Sequence, residues 1–72
     1  MTTNLAIAQQ TVTGVISDDQ GLPLPGATVL IEGTTTGVTT DFDGNYSIMA
    51  SDGDVLVISY VGYQSQSLIV GQ

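Results

Sequence analysis

The side chains able to do chemistry in this sequence are carboxylates and hydroxyls. Asp18, Asp19, Glu32, Asp41, Asp43, Asp52 and Asp54 are its seven acids, and it has no Lys, Arg, His or Cys. Asp41, Asp43 and Asn45 set side-chain oxygens at the first, third and fifth positions of a loop with Asp52 at the twelfth, the spacing of a calcium site. The match is incomplete, because such a loop has Gly at its sixth position and a bidentate Glu at its twelfth, where this chain has Tyr46 and Asp52. The competing reading is a turn in which Asp side chains accept backbone N–H bonds and Gly44 supplies a positive φ. Two carboxylates about 5–9.5 Å apart can also hydrolyse a glycosidic bond. Nothing in the sequence marks the walled, desolvated cleft that would make one of them a general acid. Ser and Thr are abundant, yet without His or Lys to accept a proton their hydroxyls are not activated as nucleophiles.

The missing residue types exclude further classes. With a formal charge of −7 and no Lys or Arg, the chain has no phosphate clamp and repels nucleic acid and anionic lipid. Without imidazole or thiolate it cannot build the usual zinc sites, a Cys nucleophile or a Ser-His-Asp arrangement. Without Lys it has neither Schiff-base chemistry nor Lys–Asn isopeptide staples. The lack of Cys gives no evidence about compartment, since oxidising compartments permit disulfides without requiring them. The expectation is a non-enzymatic protein with no cofactor, stabilised by packing and backbone hydrogen bonds.

Seventy-two residues make one small module, and an apolar content of 42% is that of a chain that folds. Apolar runs fall far short of the roughly 20 residues of a membrane-spanning helix. Nine Gly, two Pro and many β-branched residues leave no window for a 3.6-residue stripe. The predicted strands are 11–17, with Val12 and Ile16 on one face and Gly14 between them; 27–32, with Ala27, Val29 and Ile31 on one face; 38–40; 45–49; 55–60, the most apolar and hence central; and 65–70. Asp18–Gly21 is a turn, Leu22–Gly26 an extended connector stiffened by Pro23 and Pro25, and Asp41–Gly44 closes a hairpin into the fourth strand. Six short strands, or seven if the amino-terminal arm pairs, suggest an all-β sandwich of two thin sheets. In residues 1–9 the small-x-small run Ala6-Ile7-Ala8 has the form of a signal-peptidase site; this segment is read either as the residual end of an export signal or as an extended arm, and residues 10–72 as the domain.

The ordered strings Gly14-Val15-Ile16-Ser17-Asp18, Gly21-x-Pro23-Leu24-Pro25-Gly26-Ala27-Thr28-Val29, Gly33-Thr34, Thr40-Asp41-x-Asp43-Gly44-x-Tyr46 and Ser59-Tyr60-Val61-Gly62-Tyr63 resemble the carboxypeptidase regulatory-like domain. They are most similar to the version that forms an amino-terminal extension on SusC/RagA-type TonB-dependent outer-membrane transporters of Bacteroidetes-like bacteria. The resemblance covers residues 10–71 and implies a small transthyretin-like or immunoglobulin-like β-sandwich, exported and non-enzymatic, on the periplasmic side of a glycan or peptide importer. Its partners would be the rest of the transporter, the energy-transducing machinery or other envelope proteins. No plug or barrel follows Gln72, so an excised domain and a freestanding use of the fold are both open readings.

The physics of the motif residues is mainly structural. Pro23 and Pro25 stiffen a crossing between strands, and Gly26 takes backbone angles closed to other residues. Gly62 allows a kink between Tyr60 and Tyr63, whose rings can either cap the end of the sandwich or stack on a ligand. Scattered acids keep such a module soluble, while strand edges without Lys stay available for self-association or for docking an extended segment. Two alternative functions follow. One is a freestanding surface or filament subunit assembling by strand addition; the other is a carbohydrate- or calcium-binding module built on Asp41, Asp43, Tyr60 and Tyr63.

Overall fold

The computed structural model describes residues 9–71. The chain forms six strands: β1 (Gln10–Val15), β2 (Thr28–Ile31), β3 (Gly37–Thr39), β4 (Asn45–Ala50), β5 (Val55–Ser59) and β6 (Gln66–Ile69). There is no helix among the described residues, and so none long and apolar enough to cross a membrane. The strands build two antiparallel sheets, β1-β4 and β3-β2-β5-β6. This is the small all-β sandwich that the turn spacing suggested. The possible seventh strand and the signal-like run fall in residues 1–8, outside the described residues.

Alternation with period two assigns the buried face. In β4 Tyr46, Ile48 and Ala50 are buried while Asn45, Ser47 and Met49 are exposed. Val29 and Ile31 of β2 and Leu56 of β5 close the core from the other sheet, with Val70 joining them and Val12, Ile16, Val38 and Ile58 packed at its margin. Antiparallel register keeps these side chains on one face: Val29 lies opposite both Val38 and Ile58, and Ile31 opposite Leu56. β5 lies between β2 and β6, the central place its apolar sequence predicted.

One expectation changes. The Asp41–Gly44 turn is closed as a hairpin turn is, by Gly44 N–H donating to Asp41 O at 3.0 Å and Asp41 N–H to Asn45 O at 3.0 Å. The strands it joins then part, β3 pairing with β2 and β4 with β1. The turn is therefore a corner between sheets. The physical reason is Thr40, whose backbone is bonded to the segment before β2 on both sides: Thr40 N–H to Ala27 O at 2.9 Å and Gly26 N–H to Thr40 O at 3.0 Å.

The registers sort the connections into two poles. Val15 lies opposite Asn45, Thr28 opposite both Thr39 and Ser59, and Ile58 opposite Gln66. The β1–β2, β3–β4 and β5–β6 connections thus gather at one pole. The start of β1, the β2–β3 and β4–β5 connections and the end of β6 gather at the other, where Gly53 N–H donates to Val70 O at 2.9 Å.

Candidate functional site

The loop pole is built by two aspartate-centred turns and one buried threonine. Asp18 Oδ1 accepts the backbone N–H groups of Gln20 and Leu22 at 2.8 and 2.9 Å. Asp41 Oδ1 does the same for Asp43 and Asn45, both at 2.9 Å. A short carboxylate that reaches backbone two and four residues ahead folds the chain back on itself, which is why both turns form around Asp. Between them Thr40 Oγ1 donates to Leu24 O at 2.5 Å and accepts from Ala27 N–H at 2.9 Å. Thr40 is the buried polar residue among the described residues, and it fastens the proline connector to the end of β3.

Pro23, Pro25, Gly26, Gly44 and Gly62 of the motif strings occupy this same pole, whereas Gly33 lies in the β2–β3 connection at the other. Pro23 forms an isolated bridge with Ser17, and Leu24 N–H donates to Ile16 O at 2.9 Å. Pro25 and Gly26 make the turn into β2. Gly26, Gly44 and Gly62 have φ of 79°, 77° and 86°, the left-handed values the turns demand. At Gly44 space is limiting as well, because a β-carbon there would collide with Ile16 O and lie 3.2 Å from Pro23 Cβ.

The tyrosine pair stands at the β5–β6 turn. The rings of Tyr60 and Tyr63 are 5.7 Å apart and tilted by 58°, and Tyr63 N–H donates to Tyr60 O at 3.0 Å. They form a wall with a groove on each side. One groove, about 440 Å³, runs along Gly26, Thr28 and Ser65; the other, about 520 Å³, faces the Asp18–Asp19 turn across Ile58 and Gln66. Tyr63 is 51% exposed. At the same pole the turn tips carry Phe42 and Val61, which are 90% and 92% exposed.

The calcium candidates are not all brought together. Asp41, Asp43 and Asn45 share the corner turn, but one carboxylate oxygen of Asp41 is committed to backbone N–H groups. Asp52 lies beyond the far end of β4, about 20 Å away at the rise of a strand. There Asp52 Oδ1 accepts from Gln10 Nε2 at 2.8 Å. Among the described residues no group of three His, Cys, Asp or Glu is placed to hold a metal ion.

Two residues carry more structure than their types announced. Tyr46 is 8% exposed and lies over Gly14, and Thr40 holds the connector. Both stand inside the string Thr40-Asp41-x-Asp43-Gly44-x-Tyr46, but the partners they pack on or bond come from long-range register, which the string does not reveal.

A family model described as the CarboxypepD_reg-like domain matches residues 12–72. The TonB-dependent receptor SusC of Bacteroides thetaiotaomicron is 53% identical over 66 residues, which is 90% of this chain and 7% of that protein. Two TonB-dependent receptors of Formosa agariphila are 47% and 52% identical over 93% and 86% of the chain, again matching 7% and 6% of their own length. A viral structural protein is 40% identical over 52 residues, 72% of the chain and 10% of its own length. No solved structure gives a significant match. The chain thus spans less than a tenth of the length of the receptors it resembles.

Proposed function

This chain belongs to the CarboxypepD_reg-like domain family, and from that premise we propose that it is a non-enzymatic accessory domain of a TonB-dependent outer-membrane transporter for glycans or peptides. It sits on the periplasmic side and works through protein–protein contacts. The observation that carries this reading is the identity of 53% to a TonB-dependent receptor across 90% of the chain. The loop pole supports the contact role: Phe42, Val61 and Tyr63 are exposed there, with no activated nucleophile beside them. Large exposed apolar side chains on turns of one pole are what a recognition surface presents. The start of β1 at Gln10 and the end of β6 at Ile69 lie at the opposite pole, away from these side chains.

The test is cell fractionation with an antibody against residues 10–71. The reading predicts a single polypeptide of receptor size in the outer-membrane fraction, with the domain cleaved by protease only after the outer membrane is permeabilised. A short free protein in the medium, or cleavage on intact cells, contradicts it. The resemblance to a viral structural protein favours a second use, as a contact module within a surface assembly. In that case the edges of β3 and β6, unpaired among the described residues, would accept a neighbouring strand.

A further inference from the structure

We infer that the cleft between the Asp18–Asp19 turn and the Tyr60–Tyr63 turn is a groove for an arginine-bearing extended segment of another protein. This deepens the protein-contact reading above and rests on it. The cleft exists because the sheets are unequal. Among the described residues two strands cannot cover four, so the inner face of β6 is left open and Leu68, which pairs with Leu56 on that face, is 41% exposed. The opening continues toward the loop pole as a groove of about 520 Å³ with an apolar floor of Ile16, Leu24 and Ile58.

Its two rims differ. Asp18 and Asp19 form one, and the carboxylate of Asp19 takes no part in the bonds that hold its turn. Tyr60 and Tyr63 form the other, their rings 5.7 Å apart and Tyr63 half exposed. Acids facing aromatic rings over an apolar floor match one side-chain chemistry: an alkyl stem that lies on the floor, and a planar cation that stacks on a ring and bonds a carboxylate. Arginine supplies all three. Gln66 lines the groove and begins β6, an edge strand whose outer side has no partner among the described residues. An extended segment can therefore add backbone hydrogen bonds while its side chains enter the cleft. A second copy of this chain cannot be the occupant in this way, because its 72 residues contain no Lys and no Arg.

The experiment is an NMR titration of the ¹⁵N-labelled 72-residue chain with a capped hexapeptide of alternating arginine and leucine. A matched peptide with neutral citrulline in place of arginine is the control. The expected result is movement of the Asp19, Tyr60, Gly62, Tyr63 and Gln64 amides with those of Asp52 and Gly53 unmoved. The citrulline peptide should bind about tenfold more weakly, and raising NaCl from about 20 to 300 mM should weaken the arginine peptide several-fold. Asp19→Asn and Tyr63→Ala should each reduce affinity at least about threefold while amide dispersion shows the chain still folded. Absence of binding, equal affinity for both peptides, or shifts centred away from this groove would overturn the inference. None of those results bears on which membrane the parent protein occupies, which fractionation decides separately.

Discussion

The ring of Tyr46 fills the space in which a β-carbon of Gly14 would stand. The two residues face each other across the β1–β4 pair, and a β-carbon built at Gly14 comes 2.7 Å from Cε2 and from the hydroxyl of Tyr46. The glycine is thus a socket for the largest buried ring, and the ring covers the backbone that a glycine in a strand leaves bare. Because β1 and β4 are the whole of the smaller sheet, this pair fixes the layer that closes the core.

Gly14→Val should therefore lower stability by about 2–3 kcal/mol, since the valine must displace a ring locked in a packed layer. Urea denaturation measures the loss. In a Tyr46→Leu background, where the collision is gone, most of the added penalty should vanish; equal penalties in both backgrounds would show that the two residues are not coupled.

Thr40→Val should cost about 2–3 kcal/mol, more than its small change in volume suggests. The hydroxyl serves Ala27 N–H and Leu24 O in a buried site, and its loss leaves both without a partner. Thr40→Ser keeps the hydroxyl and should cost clearly less. Urea midpoints of the two variants at unchanged m-value give the comparison.

The strands and the turn aspartates were legible because their causes are local. Alternation in Tyr46-Ser47-Ile48-Met49-Ala50 names the buried face directly, and Asp followed by Gly at Asp18–Gly21 and Asp41–Gly44 marks a fold-back of the chain. Which strand pairs with which was not legible. The corner at Asp41–Gly44 reads as a hairpin from its own residues, and only the bonds from Thr40 to Gly26 and Ala27, more than ten positions away, turn it into a crossing between sheets. Spacing is misleading for a related reason at the calcium candidates: counting along the chain places Asp52 twelfth in a loop, whereas the six residues of β4 run through that count.

Asp41→Ala should destabilise the domain by about 1 kcal/mol and Asp41→Asn by less, because the amide oxygen can still accept the Asp43 and Asn45 N–H groups. Thermal denaturation compares them. Calcium at millimolar concentration should leave the melting temperature of the parent chain unchanged; a rise of several degrees that disappears in Asp43→Ala would restore the metal reading.

Salt should stabilise the folded chain. A net charge of −7 with no Lys or Arg means that folding crowds carboxylates against one another with no side-chain cation to offset them. Screening weakens this repulsion as the Debye length falls from about 30 Å at 0.01 M to about 8 Å at 0.15 M. The urea midpoint should rise over that range, and a fall would show that the acids are not a net burden on the fold.

The proposed contribution of the domain to transport, through contacts made outside the barrel, is tested most directly by deleting residues 10–71 from the receptor that would carry it. Substrate uptake is measured at matched outer-membrane abundance of receptor with and without the domain. The proposed role predicts a several-fold loss of uptake by a barrel that is still inserted, whereas uptake equal to that of the intact receptor would contradict it.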